Sequence, residues 1–265
     1  MLKVDLHVHS GATRHAMPST IFELACFASL KGVKAIAITD HGPAQEGDSP
    51  PKSYFDALDR LPKNLQSFFD FVGPEGNPAV FNFLYLCRVL PDVRIFSGCE
   101  ANVINASGEI DLPEKIQRKL NLVMAGFHKR TGWSEGSTEV ENSCALINAM
   151  KRNRIHVISH PYQSIFPINI EDVCRAASDY HVALEVNLTT LARCKDGDKV
   201  FTNTLKMIEE AERFGMVISI STDAHSPHEL GDDRILKQLG WEIPSKSVLG
   251  STGGVQEVEG FLESK

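Results

Sequence analysis

Seven short apolar segments recur along this chain of 265 residues, and amphipathic stretches of helical length separate most of them. The segments span residues 2–10, 33–39, 94–100, 122–128, 155–160, 183–187 and 217–223. Strands that alternate with helices pair in parallel, because each crossover returns the chain to the same edge of the sheet. The pattern therefore predicts an α/β protein in which seven parallel strands close into a barrel.

Such an architecture is a distorted seven-stranded (β/α)7 TIM-like barrel, whose active site is expected at the C-terminal rim of the strands. Helices are predicted at residues 21–31, 139–151, 170–180, 199–214 and 255–263. Ser19 is the predicted N-cap of the first helix, and Gly32 the residue that ends it. The whole chain, 1–265, is predicted to form a single domain.

A long insertion at about 43–92 interrupts this alternation. Proline-containing pairs at 50–51, 73–74 and 77–78 break two predicted helical pieces, 53–60 and 78–90. Connections of this length are uncommon in compact domains and often form lids or binding loops. A structural elaboration beside the barrel fits the sequence equally well.

The formal net charge of -7 argues against strong affinity for nucleic acid or for an anionic membrane, since both favour a basic surface. The six cysteines are scattered without Cys-x-x-Cys spacing, which favours free thiols in a reducing compartment. The sequence shows neither a signal segment nor an apolar run of about 20 residues, the length of a membrane span. We therefore expect a cytoplasmic protein; the sequence does not indicate its oligomeric state.

Residue types that bind metals stand at the end of six of the seven predicted strands, and one more lies in the first loop. These candidate ligands are His7, His9, His15, His41, Glu100, His128, His160, Asp223 and His225. At about three to four protein ligands per ion, the set suits two or three divalent cations. Imidazole and carboxylate ligands favour zinc, with manganese or iron as alternatives.

The remaining histidines have more ordinary interpretations. His156 begins the fifth strand and His181 precedes the sixth, so both are expected at the opposite end of the barrel in structural roles. His228 lies just beyond the rim, where solvent exposure is favoured over contact with a substrate.

The carboxylates have a charge role that neutral imidazole cannot fill. Glu100 is the candidate bridge between cations, and Asp223 is a second charged ligand. Asp5 is predicted to point inward below His7 and could orient a ligand from behind. Asp40 could act similarly or protonate a leaving group, which makes it a third candidate catalytic residue beside Glu100 and Asp223. For Asp5 and Asp40, hydrogen bonding to loop backbone is an equally good interpretation.

The segments 5–10 (DLHVHS), 38–41 (ITDH), 98–100 (GCE), 158–161 (ISHP) and 221–225 (STDAH) resemble, in order, the motifs of the PHP (polymerase and histidinol phosphatase) family. Within it, the segments 40–43 (DHGP), 126–128 (GFH) and 184–187 (LEVN) are most similar to the small stand-alone phosphatases with a trinuclear zinc site. The insertion and the basic loop 127–130 depart from that subgroup, so the substrate stays open.

The resemblance implies three metal positions. It implies that one is held by His7, His9, Glu100 and Asp223. A second would be held by His15, His41 and His225, and a third by Glu100, His128 and His160.

These observations predict a metal-dependent phosphatase in which metal-bound hydroxide attacks a small phosphate monoester. Lys129, Arg130 and Arg193, on rim loops, are candidates for clamping the phosphate, although solvated surface charge is the alternative for each. The alternatives for the activity are a histidinol phosphatase specifically, a phosphodiesterase or exonuclease of the PHP type, and an amidohydrolase-like hydrolase of C–N bonds. A non-enzymatic protein with a relict metal site is the last alternative.

Overall fold

Seven parallel strands form a barrel in the computed structural model, which describes residues 1–68, 89–194, 199–241, 243 and 245–265. The strands are β1 (Val4–Val8), β2 (Ala35–Ile38), β3 (Arg94–Asn102), β4 (Leu122–Gly126), β5 (Val157–Ile158), β6 (Ala183–Asn187) and β7 (Ile218–Ser221). Each strand pairs with the next along the chain. A parallel bridge between Val8 and Ala224 connects the end of β1 with the residues after β7. The predicted TIM-like barrel is therefore confirmed.

The strands differ in length from the apolar segments that predict them. β5 contains Val157–Ile158 alone, so His160 follows on a loop. β3 continues past Glu100, and its last residue, Asn102, still pairs with Gly126 of β4. The prediction that the third strand ends at Glu100 is therefore wrong by two residues.

Helices surround the barrel in the described part of the chain. They are α1 (Ile21–Leu30), α2 (Lys52–Ala57), α3 (Glu114–Gln117), α4 (Glu139–Arg152), α5 (Ile170–Asp179), α6 (Leu188–Arg193), α7 (Lys199–Phe214), α8 (Arg234–Leu239) and α9 (Gly254–Glu263). Short 3-10 turns span Leu58–Arg60 and Ser245–Ser247. The helices predicted outside the insertion are confirmed to within a residue, whereas the predicted helix at 78–90 lies almost wholly outside the described residues. No helix that the structure describes is long and apolar enough to span a membrane.

The N-cap of α1 is Thr20, so the prediction of Ser19 is wrong. Thr20 Oγ1 accepts a hydrogen bond from Glu23 N, and the Glu23 carboxylate accepts one from Thr20 N in return. This reciprocal capping box needs a glutamate three residues after the cap. That spacing selects Thr20 over its neighbour.

The lower half of the barrel interior is filled by alternate residues of six strands. They are Val4, Leu6, Ala35, Ala37, Phe96, Leu122, Met124, Val157 and Ala183. Val258 and Leu262 of α9 join the same cluster, and the Leu262 carbonyl accepts a hydrogen bond from Arg154, just before β5. The C-terminal helix therefore packs against the N-terminal end of the barrel.

A register shift between Asp5 and Val8 marks a β-bulge in β1. Because of it, Leu6 packs inside the barrel whereas Val8 packs outside with Leu24 of α1. Strict alternation predicts that Leu6 and Val8 share a face, and the bulge makes that prediction wrong.

The described part of the insertion lies against the barrel. Residues 63–65 run antiparallel to the start of β3: Leu65 N donates to Val93 O at 2.9 Å and Ile95 N to Lys63 O at 2.8 Å. Phe55 and Leu65 are fully buried. That the whole chain forms a single domain stays a prediction.

Candidate metal centre

All nine predicted ligands converge at the C-terminal rim of the strands. His7 and His9 leave β1, His41 follows β2, and Glu100 lies within β3. His128, His160, Asp223 and His225 follow β4, β5 and β7, and His15 folds back from the first loop. Contacts between imidazoles, or between imidazole and carboxylate, connect every member of the set to another.

Four ligand atoms form a compact set at the inner end of this cluster. His7 Nε2 and His9 Nε2 are 3.2 Å apart, and they lie 3.4 Å and 3.0 Å from Asp223 Oδ1. Glu100 Oε2 lies 3.2 Å and 3.6 Å from the same two nitrogens. With bonds of about 2.0–2.1 Å to zinc, neighbouring ligands of a tetrahedral site lie about 3.3–3.4 Å apart. The atoms of His7, His9 and Asp223 are therefore spaced as ligands of one cation, and Glu100 Oε2 lies beside both imidazole nitrogens.

Glu100 lies at the middle of the centre with one oxygen toward each side. Oε1 contacts Nε2 of His128 at 3.0 Å and Nε2 of His160 at 2.8 Å. Oε2 faces His7, and it also lies 2.9 Å from Nδ1 of His41. A carboxylate in this position can bridge two cations.

A second group of imidazoles lies further out. The His15 ring stacks on His225 at a centroid distance of 4.4 Å and lies 5.3 Å from His41. The His15 side chain is 51% exposed, whereas those of His41 and His225 are 6% and 15% exposed. This group is therefore the one nearest to solvent.

Neighbouring side chains fix the orientation of the His7 and His9 imidazoles by contacting their Nδ1 atoms. His7 Nδ1 lies 2.8 Å from the carboxylate of Glu185, which is fully buried in β6. His9 Nδ1 contacts Thr13 Oγ1 at 3.3 Å. Because carboxylates accept hydrogen bonds, Nδ1 of His7 donates to Glu185, and Nε2 points into the centre as the nitrogen available to a metal.

His9 and His128 are each linked, through a neighbouring side chain, to an acid further from the centre. Thr13 Oγ1 donates to Asp40, so it can accept from His9. His128 Nδ1 donates to Asn102 Oδ1 at 2.7 Å, because the amide nitrogen of Asn102 donates to Asp111. Each of these two series of hydrogen bonds leaves the Nε2 lone pair of its histidine directed toward the centre.

The Asp40 carboxylate accepts hydrogen bonds from the first loop and from Tyr54 of α2. Its carboxylate accepts from Ser10 N, Ser10 Oγ and Thr13 Oγ1, each at 2.8 Å, and from Tyr54 OH at 2.5 Å. The acceptor role toward four donors favours a carboxylate that positions the His9 loop. Protonation of a leaving group by Asp40 stays a prediction without a contact that supports it.

Asp5 likewise contacts a loop. It accepts from Thr222 N at 3.0 Å, Thr222 Oγ1 at 2.5 Å and Gly231 N at 2.8 Å. These bonds hold the residues on either side of Asp223. They favour the backbone-binding interpretation of Asp5 over direct orientation of a ligand imidazole.

Three buried polar atoms of the centre are unsatisfied. His41 Nδ1, Glu100 Oε2 and His225 Nε2 have no hydrogen-bond partner within the described residues. The contact between His41 Nδ1 and Glu100 Oε2 is short, but it lacks the alignment of a hydrogen bond. Buried polar atoms normally have partners, so these atoms and the convergent lone pairs fit bound divalent cations.

Burial lowers the pKa of every buried imidazole here, and neighbouring charges decide the net direction. The pKa of His7 is raised because Glu100, Glu185 and Asp223 outweigh its burial. The pKa values of His41 and His160 are raised in the same way, mainly by Glu100. Burial prevails, with help from adjacent imidazoles, in the lowered pKa values of His9, His128 and His225.

Burial and neighbouring charges also set the pKa values of the two carboxylates, and here the charges prevail. Burial alone would raise the pKa of Glu100 and Asp223, but the surrounding histidines hold both well below the usual range. Both acids are therefore anionic at neutral pH, and their negative charge attracts cations to the centre.

Two of the nine residues have left-handed backbone. His160 has φ 30° and Asp223 has φ 55°. Such conformations cost about 1–3 kcal/mol outside glycine and cluster at functional sites. Here they turn the chain sharply after β5 and β7, where both side chains enter the centre.

The candidate phosphate-binding residues lie at the rim in solvent. Lys129 and Arg130 are exposed directly after His128. Arg193 is exposed at the end of α6 and lines a cavity of about 380 Å³ together with Thr222 and Glu229. Of the three other histidines, His156 is buried, whereas His181 and His228 are exposed.

Glu185, Asn102 and Asp48 contact the histidines, although they are not among the residues predicted from the sequence. A signal existed for the first two: Glu185 is an acid inside an apolar strand, and Asn102 shares a strand face with Glu100. Asp48 lies in the irregular insertion, where no periodicity indicates its position.

Two solved structures share the fold. The crystal structure of histidinol phosphate phosphatase from Lactococcus lactis, complexed with zinc, L-histidinol and phosphate, aligns with a TM-score of 0.56 and 16% identity over 91% of this chain and 95% of that one. A putative histidinol phosphatase from Listeria monocytogenes aligns with a TM-score of 0.56 and 12% identity, over 87% and 98%. At such low identities the similarity shows the fold alone.

Relatives of higher identity match the chain over its length. A probable phosphatase of Aeromonas hydrophila is 34% identical over 266 residues, which cover 99% of this chain and 94% of that protein. Probable phosphatases of Proteus mirabilis and Caldanaerobacter subterraneus are each 33% identical, over 100% of this chain and 95% and 92% of theirs. No family model matches the sequence. On the strength of these relatives, the chain belongs to the same family as the probable phosphatases.

Proposed function

We propose that this protein is a metal-dependent phosphatase of the PHP family that hydrolyses a small phosphate monoester. The observation that carries the proposal is the arrangement of His7, His9, Glu100 and Asp223, in which each carboxylate oxygen lies 3.0–3.6 Å from both imidazole nitrogens. Membership of a family of probable phosphatases supports phosphoester bonds as the target.

We assign two or three divalent ions to the centre, with zinc favoured by the imidazole and carboxylate donors. His7, His9, Glu100 and Asp223 would hold the inner ion. His15, His41 and His225 would hold the outer one, and Glu100 with His128 and His160 a third. When bound, such ions lower the pKa of coordinated water and neutralise charge on a phosphate.

Hydrogen bonds within the chain leave the histidine nitrogens of this centre available to cations, and the cations would attract an anionic substrate. Glu185 keeps the proton of His7 on Nδ1, and Thr13 with Asn102 supports the same state of His9 and His128. The chain carries a formal charge of -7, so an anion needs a local source of positive charge. Bound cations, with Lys129, Arg130 and Arg193 at the rim, would supply it. The predicted cytoplasmic location stays a prediction.

The test compares variants of the centre with a matched control. Glu100→Gln and His7→Ala should lose bound metal and reduce aryl phosphate hydrolysis by at least about 100-fold, because each removes a ligand. His181→Ala, at an exposed histidine just before β6, should keep both properties. Metal content is measured by elemental analysis and activity by phosphate release.

A substrate panel separates the proposed reaction from its alternatives. Aryl phosphate should be the preferred substrate over an aryl phosphodiester and an aryl amide. Hydrolysis of the amide alone, or full activity in Glu100→Gln, would contradict the proposal.

A further inference from the structure

The start of the insertion docks on the loop that carries His15. Arg14 N donates to Asp48 O at 3.0 Å, and Arg14 Nη1 donates to Gly47 O at 3.1 Å. The side chain of Asp48 adds two contacts: Oδ1 accepts from His15 N at 3.1 Å, and Oδ2 lies 2.5 Å from His15 Nδ1. One aspartate therefore fixes both the backbone and the ring of His15.

His15 needs such a support more than the other proposed ligands do. Its side chain is 51% exposed, so packing alone does not hold the ring over His41 and His225. The inner histidines His7 and His9 are completely buried. With Nδ1 on Asp48, the ring of His15 offers Nε2 to a cation.

The outer position also lacks a carboxylate of its own. His15, His41 and His225 are neutral ligands, and they balance none of the charge of a divalent ion. Asp48 Oδ2 lies 4.0 Å from His41 Nε2, and the three residues His15, His41 and Asp48 have ligand atoms within 4.8 Å of one another. Asp48 can therefore contribute negative charge to this position through the His15 ring that it contacts.

The distances distinguish positioning from direct ligation. Two ligands of one zinc ion lie about 3.3 Å apart in a tetrahedral site, whereas Asp48 Oδ2 and His15 Nδ1 are 2.5 Å apart. A separation so short fits a hydrogen bond from the imidazole N–H to the carboxylate, and not two ligands of one ion. Asp48 therefore acts on the cation through His15.

We propose that Asp48 is a positioning residue of the outer metal position, so that the insertion completes the metal centre. The inference rests on the proposed function and deepens it. It predicts that the outer ion depends on a residue outside the (β/α)7 framework, while the inner ion does not.

Metal titration of the full-length protein tests this proposal. Metal-stripped wild type, Asp48→Asn, Asp48→Ala and His15→Ala are titrated with zinc against a chromophoric chelator, and with Co²⁺ followed by visible absorption. One class of site should weaken by about 10-fold or more in Asp48→Asn, as is typical for a residue that orients a metal ligand. The tightest class should be unchanged. Glu46→Gln, exposed on the same turn, is the matched control and should bind as wild type does.

The double variant shows whether Asp48 acts through His15. If it does, Asp48→Asn combined with His15→Ala should bind the outer ion no more weakly than His15→Ala alone. Independent losses that add would overturn the proposal, as would a metal affinity of Asp48→Asn equal to that of Glu46→Gln. Either outcome leaves the proposed function intact, provided that the wild type binds metal and hydrolyses aryl phosphate. A wild type that binds no metal would instead refute the proposed function.

Discussion

Replacing Glu185 by glutamine exchanges one carboxylate oxygen for an amide NH2 group, at a position behind the metal centre. Glu185 is fully buried, its Oε1 lies 2.8 Å from His7 Nδ1, and its Oε2 accepts from His160 N at 2.8 Å and from Asn187 Nδ2 at 3.2 Å. The carboxylate accepts from all three donors. Glutamine has one acceptor and one donor group, so it cannot satisfy both sides.

Either orientation of the amide is unfavourable. If the amide nitrogen faces His160 N, two donors oppose each other and a buried N–H loses its partner, which costs about 1–3 kcal/mol. If it faces His7, the proton of the imidazole moves to Nε2 and removes the lone pair that a metal needs. We expect inner metal affinity to fall by about 10–100-fold, or roughly 1.4–2.7 kcal/mol.

The assay is a competition titration of zinc against a chromophoric chelator at neutral pH, with phosphate release measured on the same samples. Glu171→Gln is the control, because Glu171 is a partly exposed glutamate of α5 that pairs with Arg175 and Arg213 on the surface. Surface ion pairs contribute little, so this variant should bind zinc as wild type does. Equal zinc affinity in Glu185→Gln and Glu171→Gln would refute the reasoning.

Two further predictions concern stability. Burial, with Arg154 and Lys265, lowers the pKa of His156 to about 3, so the unfolded chain binds a proton at this residue below about pH 6.5 that the folded chain does not. The free energy of unfolding should therefore decrease as the pH falls from about 6.5 toward 3. His156→Asn keeps an acceptor for Val123 N and should reduce this dependence in urea titrations; identical curves would contradict the assignment. Tyr54→Phe removes the hydroxyl that donates to Asp40 and should lower the unfolding free energy by about 1.5–3 kcal/mol in urea unfolding at neutral pH, whereas an unchanged value would show that the bond is not stabilising.

The barrel could be predicted from sequence because its signals are local. Apolar segments of strand length, six of the seven ending in a predicted ligand, indicate both the elements and the end at which the ligands meet. Capping chemistry decided details that hydropathy does not show, as at Thr20, where Glu23 completes the box. The bulge in β1 had no signal, because a register shift depends on how β2 pairs with β1.

The partners of the imidazoles were harder to predict, because they come from distant parts of the chain. Glu185 is 178 residues from His7, and Asp48 is 33 residues from His15. Spacing shows which residues share a strand face, but it does not show which nitrogen of a ring meets which acceptor. Those pairings depend on loop conformation, including the left-handed backbone of His160 and Asp223.

The apolar floor of the barrel has a kinetic consequence. Leu6, Phe96 and Met124 fill the interior below the centre, and α9 closes the far end with Leu262. Among the described residues, the side of the centre that is open to solvent is the rim, where His15 is exposed. An ion held by His7 and His9 would have to enter and leave past the outer position. Filling of the outer position would then trap the inner ion, and the two would exchange with solvent in a fixed order.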